Sequence, residues 1–121
     1  MVRFVESFID KGLVYIVTKQ AKEGNLLYYM KKHGIKIFSE SQAKSIVRQL
    51  LGAIGQMHKQ GLVHRDIKQL NILVDSVSED SDDEDFIHVK LCDFGTSVDL
   101  NQVRVLPEAA GTRNFMAPEV Y

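Results

Sequence analysis

The sequence predicts a single α+β unit, and three patterns predict it. Two β-branched and aromatic runs flank a turn near the start, one long stretch in the middle has helical periodicity, and two short apolar runs bracket an acidic segment after it. With 121 residues, 45% of them hydrophobic, the chain can bury one modest core. A net charge of −1 supplies no global field for nucleic acid or an anionic membrane. The lone Cys92 excludes a disulfide within the chain and suits a reducing compartment. No run approaches the ~18 apolar residues of a membrane span, and Met1-Val2-Arg3-Phe4-Val5-Glu6 lacks the apolar core of a signal peptide. The expectation is an intracellular, cytoplasmic protein with neither nucleic-acid nor membrane partners.

The elements follow in order. Val2 to Phe8 and Leu13 to Thr18 read as strands of a hairpin, separated by Ile9-Asp10-Lys11-Gly12, whose Asp and Gly suit a turn. Gly24-Asn25-Leu26 opens a short helix through His33, with Asn25 placed to cap it. From Ser39 the period changes: Ala43, Ile46, Val47, Leu50, Leu51, Ile54 and Met57 recur at three and four, which predicts an amphipathic helix from about 40 to 60. Ser39 and Gln42 match a capping box, Phe38 and Ala43 a hydrophobic staple, and Gly61 suits a left-handed terminus.

Ile72 to Val74 and Ile87 to Cys92 read as a second strand pair. Between them, residues 75–85 carry six carboxylates in their last seven positions, a density that repels itself and predicts a solvated loop. Ser76, Ser78 and Ser81 lie among these acids and are the serines an acidophilic kinase would modify. Alternation sets Val89 and Leu91 on the face opposite His88, Lys90 and Cys92. Cys92 reads as a small buried hydrophobe, with no reactivity expected.

The chemistry is concentrated in His64-Arg65-Asp66-Ile67-Lys68-Gln69-Leu70-Asn71. Phosphoryl transfer leaves a protein little covalent work: it must position the acceptor hydroxyl, neutralise phosphate charge and hold metal ions. A carboxylate, an ammonium and an amide at fixed offsets on one loop suit those three tasks. This stretch resembles the catalytic loop of eukaryotic protein kinases, H-R-D-x-K-x-x-N, and Asp93-Phe94-Gly95 and Ala117-Pro118-Glu119 follow in that family's order. Three motifs in register make the resemblance specific, and it covers nearly the whole chain but only the middle of the family's domain.

The resemblance implies a protein-kinase-like partial domain over residues 1–121: 1–18 as small-lobe strands, 19–25 as hinge, and 26–121 as the start of the large lobe. It implies ATP and Mg2+ as the groups bound and a protein as substrate. By the same resemblance Asp66 would accept or orient the hydroxyl proton, Lys68 would offset charge on the transferred phosphate, and Asn71 and Asp93 would hold metal. Lys19 and Ala21 in the hinge, Asn25 near the ribose and Leu73 under the adenine would contact ATP. Phe94 would stack with His64 and Phe4. Lys68 and Thr112 resemble the serine/threonine form, with Thr112 bonding toward Asp66 and Lys68 at the acceptor site. Arg65 would pair with a phosphate three residues before Gly111; that position is Glu108, which would supply a weaker, permanent anion instead.

Departures and absences matter too. Gln69 and Leu70 replace the usual Pro-Glu, and Phe115 replaces an aromatic that is often Tyr or Trp. The Gly-rich G-x-G-x-x-G loop and the strand lysine that grip ATP in the family do not occur in these 121 residues. The expected function is therefore a serine/threonine protein kinase, this chain being a fragment of one. The alternative is a catalytically inactive truncated kinase that binds or competes with a complete kinase or another protein partner.

Overall fold

Ser39 and Gln42 start the dominant helix reciprocally: Ser39 Oγ accepts from Gln42 N at 3.2 Å, and Gln42 Oε1 accepts from Ser39 N at 3.1 Å. This capping box satisfies two orphan donors of the first turn. The helix, α2, runs Glu40–Lys59 and stops where Gly61 takes φ of 77°, its amide turning back to His58 O at 3.0 Å. In the computed structural model, which describes residues 1–78, 86–103 and 109–120, α2 follows a hairpin and a short helix and precedes the site. The other elements are β1 (Phe4–Asp10), β2 (Leu13–Thr18), α1 (Leu26–Lys32), β3 (Leu62–Val63), β4 (Ile72–Ser78), β5 (Phe86–Leu91) and β6 (Val98–Asp99). The α+β expectation holds, with single 3-10 turns at Gln69–Asn71, Arg113–Phe115 and Pro118–Val120.

The core sits between the β4–β5 sheet and the two helices. Ile72 and Val74 from β4, Ile87 and Leu91 from β5, Ile46 and Met57 from α2, and Leu26 and Tyr29 from α1 are all buried together. Leu50, Ile54 and Phe38 pack against this cluster. The rest of the predicted apolar stripe does not: Val47 and Leu51 are 51% and 64% exposed, because β5 covers only one side of α2. Among the described residues, no helix is long and apolar enough to cross a membrane.

Among the described residues the strands form antiparallel pairs: β1 with β2, β3 with β6, and β4 with β5. In the last, Ile72 faces Leu91, so the chain just before β4 (Asn71) lies against the chain just after β5 (Cys92). That register carries the site. The strands also reach further than expected: Asp75 to Ser78 belong to β4, and Asp75 Oδ2 accepts from Lys90 Nζ at 2.6 Å across the sheet. Residues 79–85 of the acidic segment, Ser81 included, lie outside the described residues, while Ser76 is exposed and Ser78 half-buried on β4.

The first hairpin also has a tighter turn than its sequence suggested. Ile9 and Asp10 pair with Val14 and Leu13, leaving only Lys11 and Gly12 as the loop, with φ of 48° and 79°. Two consecutive positive φ values match the right-handed twist of the strands, so Asp10 is not needed in the turn. The hairpin leaves Phe4, Phe8, Ile9, Leu13, Val14 and Ile16 exposed. It is tied to the rest of the fold by Val2 N, which donates to Leu91 O at 3.0 Å, while Lys19 N to Arg3 O at 2.8 Å extends the hairpin's own ladder. Each such side chain left wet forgoes about 1.5–3 kcal/mol, against a net stability of about 5–15 kcal/mol for a whole domain. The isolated 121-residue chain is therefore expected to melt broadly in calorimetry; one sharp two-state transition would contradict this.

Candidate active site

The loop after α2 is held by its own first residue. β3 pairs with β6 and delivers His64, which is 2% exposed. His64 Nδ1 accepts from Asp66 N at 3.2 Å, so the ring proton lies on Nε2, 2.9 Å from Cys92 O. One imidazole thus fixes the Asp66 backbone and the end of β5 together. Its carbonyl accepts from Thr96 Oγ1 at 3.0 Å, and its ring meets Phe94 edge-on at 5.1 Å. The expected column extends no further: Phe4 is 59% exposed and makes no ring contact among the described residues, because it lies on the open hairpin.

Arg65 takes φ of 69°, a region costly for a residue with a Cβ, and its Nε donates to Thr96 O at 2.6 Å. Gly111 presses on the same turn. A Cβ at Gly111, whose φ is 126°, would stand 2.3 Å from Arg65 O, so only glycine allows the chain carrying Thr112 to approach.

That approach completes the centre. Asp66 is 8% exposed, and four donors reach its two oxygens. Oδ1 accepts from Thr112 N at 2.9 Å and Thr112 Oγ1 at 2.7 Å. Oδ2 accepts from Lys68 Nζ at 2.7 Å and Asn71 Nδ2 at 3.0 Å. Lys68 Nζ also donates to Thr112 Oγ1 at 2.6 Å, closing a ring of three side chains. The hydrogen bond from the Lys68 ammonium, then that from Thr112, lowers the Asp66 pKa to about 2, against the opposing effect of burial. The fold thus brings Asp66, Lys68, Asn71 and Thr112 together, with Thr112 Oγ1 accepting from Lys68 and donating to Asp66.

Asn71 and Asp93 are neighbours through the β4–β5 register: Cys92 N donates to Asn71 O at 2.9 Å, and Asp93 is the next residue. Both bonds from Asn71 to Asp66 use Nδ2, so the amide oxygen is not spent on that carboxylate. Asp93 is exposed, adopts φ of 59°, and among the described residues its side chain receives a long bond from Gly95 N at 3.4 Å. One amide oxygen and one carboxylate are hard donors that fit magnesium, which keeps waters and substrate oxygens in its other positions. Among the described residues no group of three His, Cys, Asp or Glu could hold a metal by itself.

The positions expected to contact nucleotide lie on β4 and on the segment between β2 and α1. Leu73 is half-buried and alternates with Ile72 and Val74, so it faces away from the core, and it bridges to Asn25. Asn25 Oδ1 accepts from Tyr28 N at 2.9 Å, so its side-chain oxygen caps α1. Lys19 is exposed and Ala21 half-buried in the segment between β2 and α1; Val74 N donates to Gly24 O at 2.8 Å and anchors that segment to β4. Glu108, paired with Arg65 in the sequence reading, lies outside the described residues. Cys92 is half-buried, its Sγ 3.3 Å from Asn71 O, and burial followed by the Asp93 charge pushes its thiol pKa up, which opposes thiolate reactivity. Sequence reasoning missed the contributions of Thr96 and Gly111, since both act on main-chain atoms distant in sequence.

Comparison with known proteins agrees with this geometry. The family model described as protein kinase domain matches residues 1–121. The chain is 33% identical over 121 residues to a Caenorhabditis elegans protein named "Probable serine/threonine-protein kinase zyg-1", covering 100% of this chain and 16% of that protein. It is 37% identical over 120 residues to calcium/calmodulin-dependent serine/threonine-protein kinase 1 of Oryza sativa subsp. japonica, covering 99% of this chain and 19% of that one. Over 120 residues it is 33% identical to calcium/calmodulin-dependent protein kinase type 1 of Macrobrachium nipponense, covering 99% of this chain and 32% of the relative. The chain spans less than a third of the length of each of these relatives. By that match over its whole length, the chain belongs to the protein kinase domain family.

Proposed function

We propose that this chain is part of a serine/threonine protein kinase, transferring the ATP γ-phosphoryl group to serine and threonine hydroxyls of proteins. The observation that carries this reading is the Asp66 carboxylate held by Lys68, Asn71 and Thr112. In the reaction the hydroxyl oxygen bonds to the γ-phosphorus, the bond to the β-bridging oxygen breaks, and ADP leaves with the electron pair. The hydroxyl proton passes toward Asp66. A carboxylate with a pKa near 2 is a weak base at neutral pH, so Asp66 acts chiefly by orienting the hydroxyl and receives the proton late. Both its oxygens already carry two donors, so the incoming hydroxyl must take the place of one of them.

Lys68, whose ammonium is held by Asp66 Oδ2 and Thr112 Oγ1, would turn on its flexible four-carbon stem toward a phosphoryl oxygen. Asn71 and Asp93 are the residues that would hold magnesium, which when bound neutralises phosphate charge. Leu73, Asn25, Lys19 and Ala21 supply the wall for the adenosine. An intracellular, cytoplasmic setting belongs to the same proposal and is supported by the unpaired Cys92.

The test is direct. The full-length protein is incubated with γ-labelled ATP, magnesium and peptides centred on serine, threonine or tyrosine. Label is expected on the serine and threonine peptides; label confined to tyrosine, or none at all, would overturn the proposal.

A further inference from the structure

The outer edge of β5 is closed by a side chain and not by a strand. Among the described residues β5 has one strand neighbour, β4. Along its other edge Gln49 Nε2 donates to Ile87 O at 2.8 Å, and Gln49 Oε1 accepts from Val89 N at 3.0 Å. Two residues on, Leu91 O accepts from Val2 N at 3.0 Å. A primary amide carries a donor and an acceptor side by side, so it reproduces the pair of ladder bonds that a neighbouring strand would make. The same Nε2 lies 3.2 Å from Ser45 O, one turn back on α2, which restrains the side chain's direction. Ile87 is fully buried, and its carbonyl would be costly to leave without a donor.

Gln49 therefore joins the two elements that carry the site. α2 leads through β3 into Asp66, and β5 leads into Asp93. Without the amide, the β4–β5 sheet would rest on α2 by apolar packing, which is non-directional and does not fix translation along the helix. We propose that Gln49 is a positioning residue for Asp93, locking β5 along α2 so that the carboxylate stands at the depth of Asn71. From the opposite side Asn71 O holds Cys92 N at 2.9 Å, so the approach to Asp93 is fixed between two amide residues. This inference rests on the reading of Asn71 and Asp93 as the magnesium-holding pair.

The experiment titrates ADP into the full-length protein by calorimetry at a series of magnesium concentrations. Gln49→Met, which keeps the length and loses both bonds, is expected to raise the half-saturating magnesium concentration about tenfold, the low end of what loss of a direct partner of a metal ligand costs. Magnesium-free ADP affinity should not change. Gln49→Glu keeps an oxygen toward Val89 N but presents no donor to Ile87 O, so it should shift in the same direction and decides the matter if Gln49→Met does not fold. Lower melting temperatures with an unchanged magnesium dependence would reduce Gln49 to a structural role and overturn the proposal. An unsubstituted protein that binds ADP without any magnesium dependence would overturn the metal reading itself, and this inference with it.

Discussion

Asp66→Asn is expected to lower kcat of the full-length protein by about 10²- to 10⁴-fold, the range for loss of a positioned acid-base group. The affinity for ATP should change far less, because Asp66 serves the acceptor hydroxyl and not the nucleotide. An asparagine offers one oxygen where the carboxylate uses two. Whichever way its amide turns, the NH₂ faces donors, either Thr112 N–H and O–H or the Lys68 and Asn71 nitrogens. Lys68 would also lose its counter-charge. A variant with unchanged kcat would remove Asp66 from the chemistry. The same residue predicts an acid limb. Its pKa is lowered in the fold to about 2, chiefly by the Lys68 hydrogen bond, while an unfolded aspartate titrates near 3.9. The stability it contributes is then fully present above the unfolded value and is lost as pH falls through about 2. Comparing unfolding of the two proteins over that window should show a smaller acid loss in Asp66→Asn.

Asp93→Ala is expected to abolish the magnesium-dependent component of nucleotide binding and leave the magnesium-free component in place. Asp93 is exposed, and among the described residues its side chain receives one bond, the 3.4 Å one from Gly95 N, so the carboxylate is available to a cation at little structural cost. The backbone needs separate control. Asp93 sits at φ of 59°, a conformation that aspartate and asparagine tolerate better than alanine. Asp93→Asn keeps that tolerance and removes the charge, so it should weaken magnesium dependence with less disturbance of the fold. Calorimetric ADP titrations with and without magnesium read both variants, and an undiminished magnesium dependence in both would exclude Asp93 as a ligand.

How far the sequence was legible depends on how local each signal is. The capping box of α2, its end at Gly61 and the cap at Asn25 involve residues within four positions of one another, and each forms as expected. The His64 to Asn71 loop was legible for the same reason, its polar residues lying on one turn of chain. The first turn was misjudged because Asp10 reads as a turn former, yet the two positive φ values at Lys11 and Gly12 are enough to reverse the strands. The start of the acidic segment was misjudged because the partner that draws Asp75 into β4 is Lys90, fifteen residues away.

What the amino-acid order determined by itself is the inventory of the centre: the His64 to Asn71 loop offers a carboxylate, an ammonium and an amide, and the resemblance its motifs carry implies the threonine. Only the tertiary structure decided that Asp66 is filled on both oxygens, that Gly111 lets Thr112 reach it and that Gln49 takes the place of a strand beside β5. These are contacts between residues 38 to 46 positions apart. They arise when buried main-chain groups and a buried charge must find partners wherever the fold brings them, and no local pattern records which partner that will be.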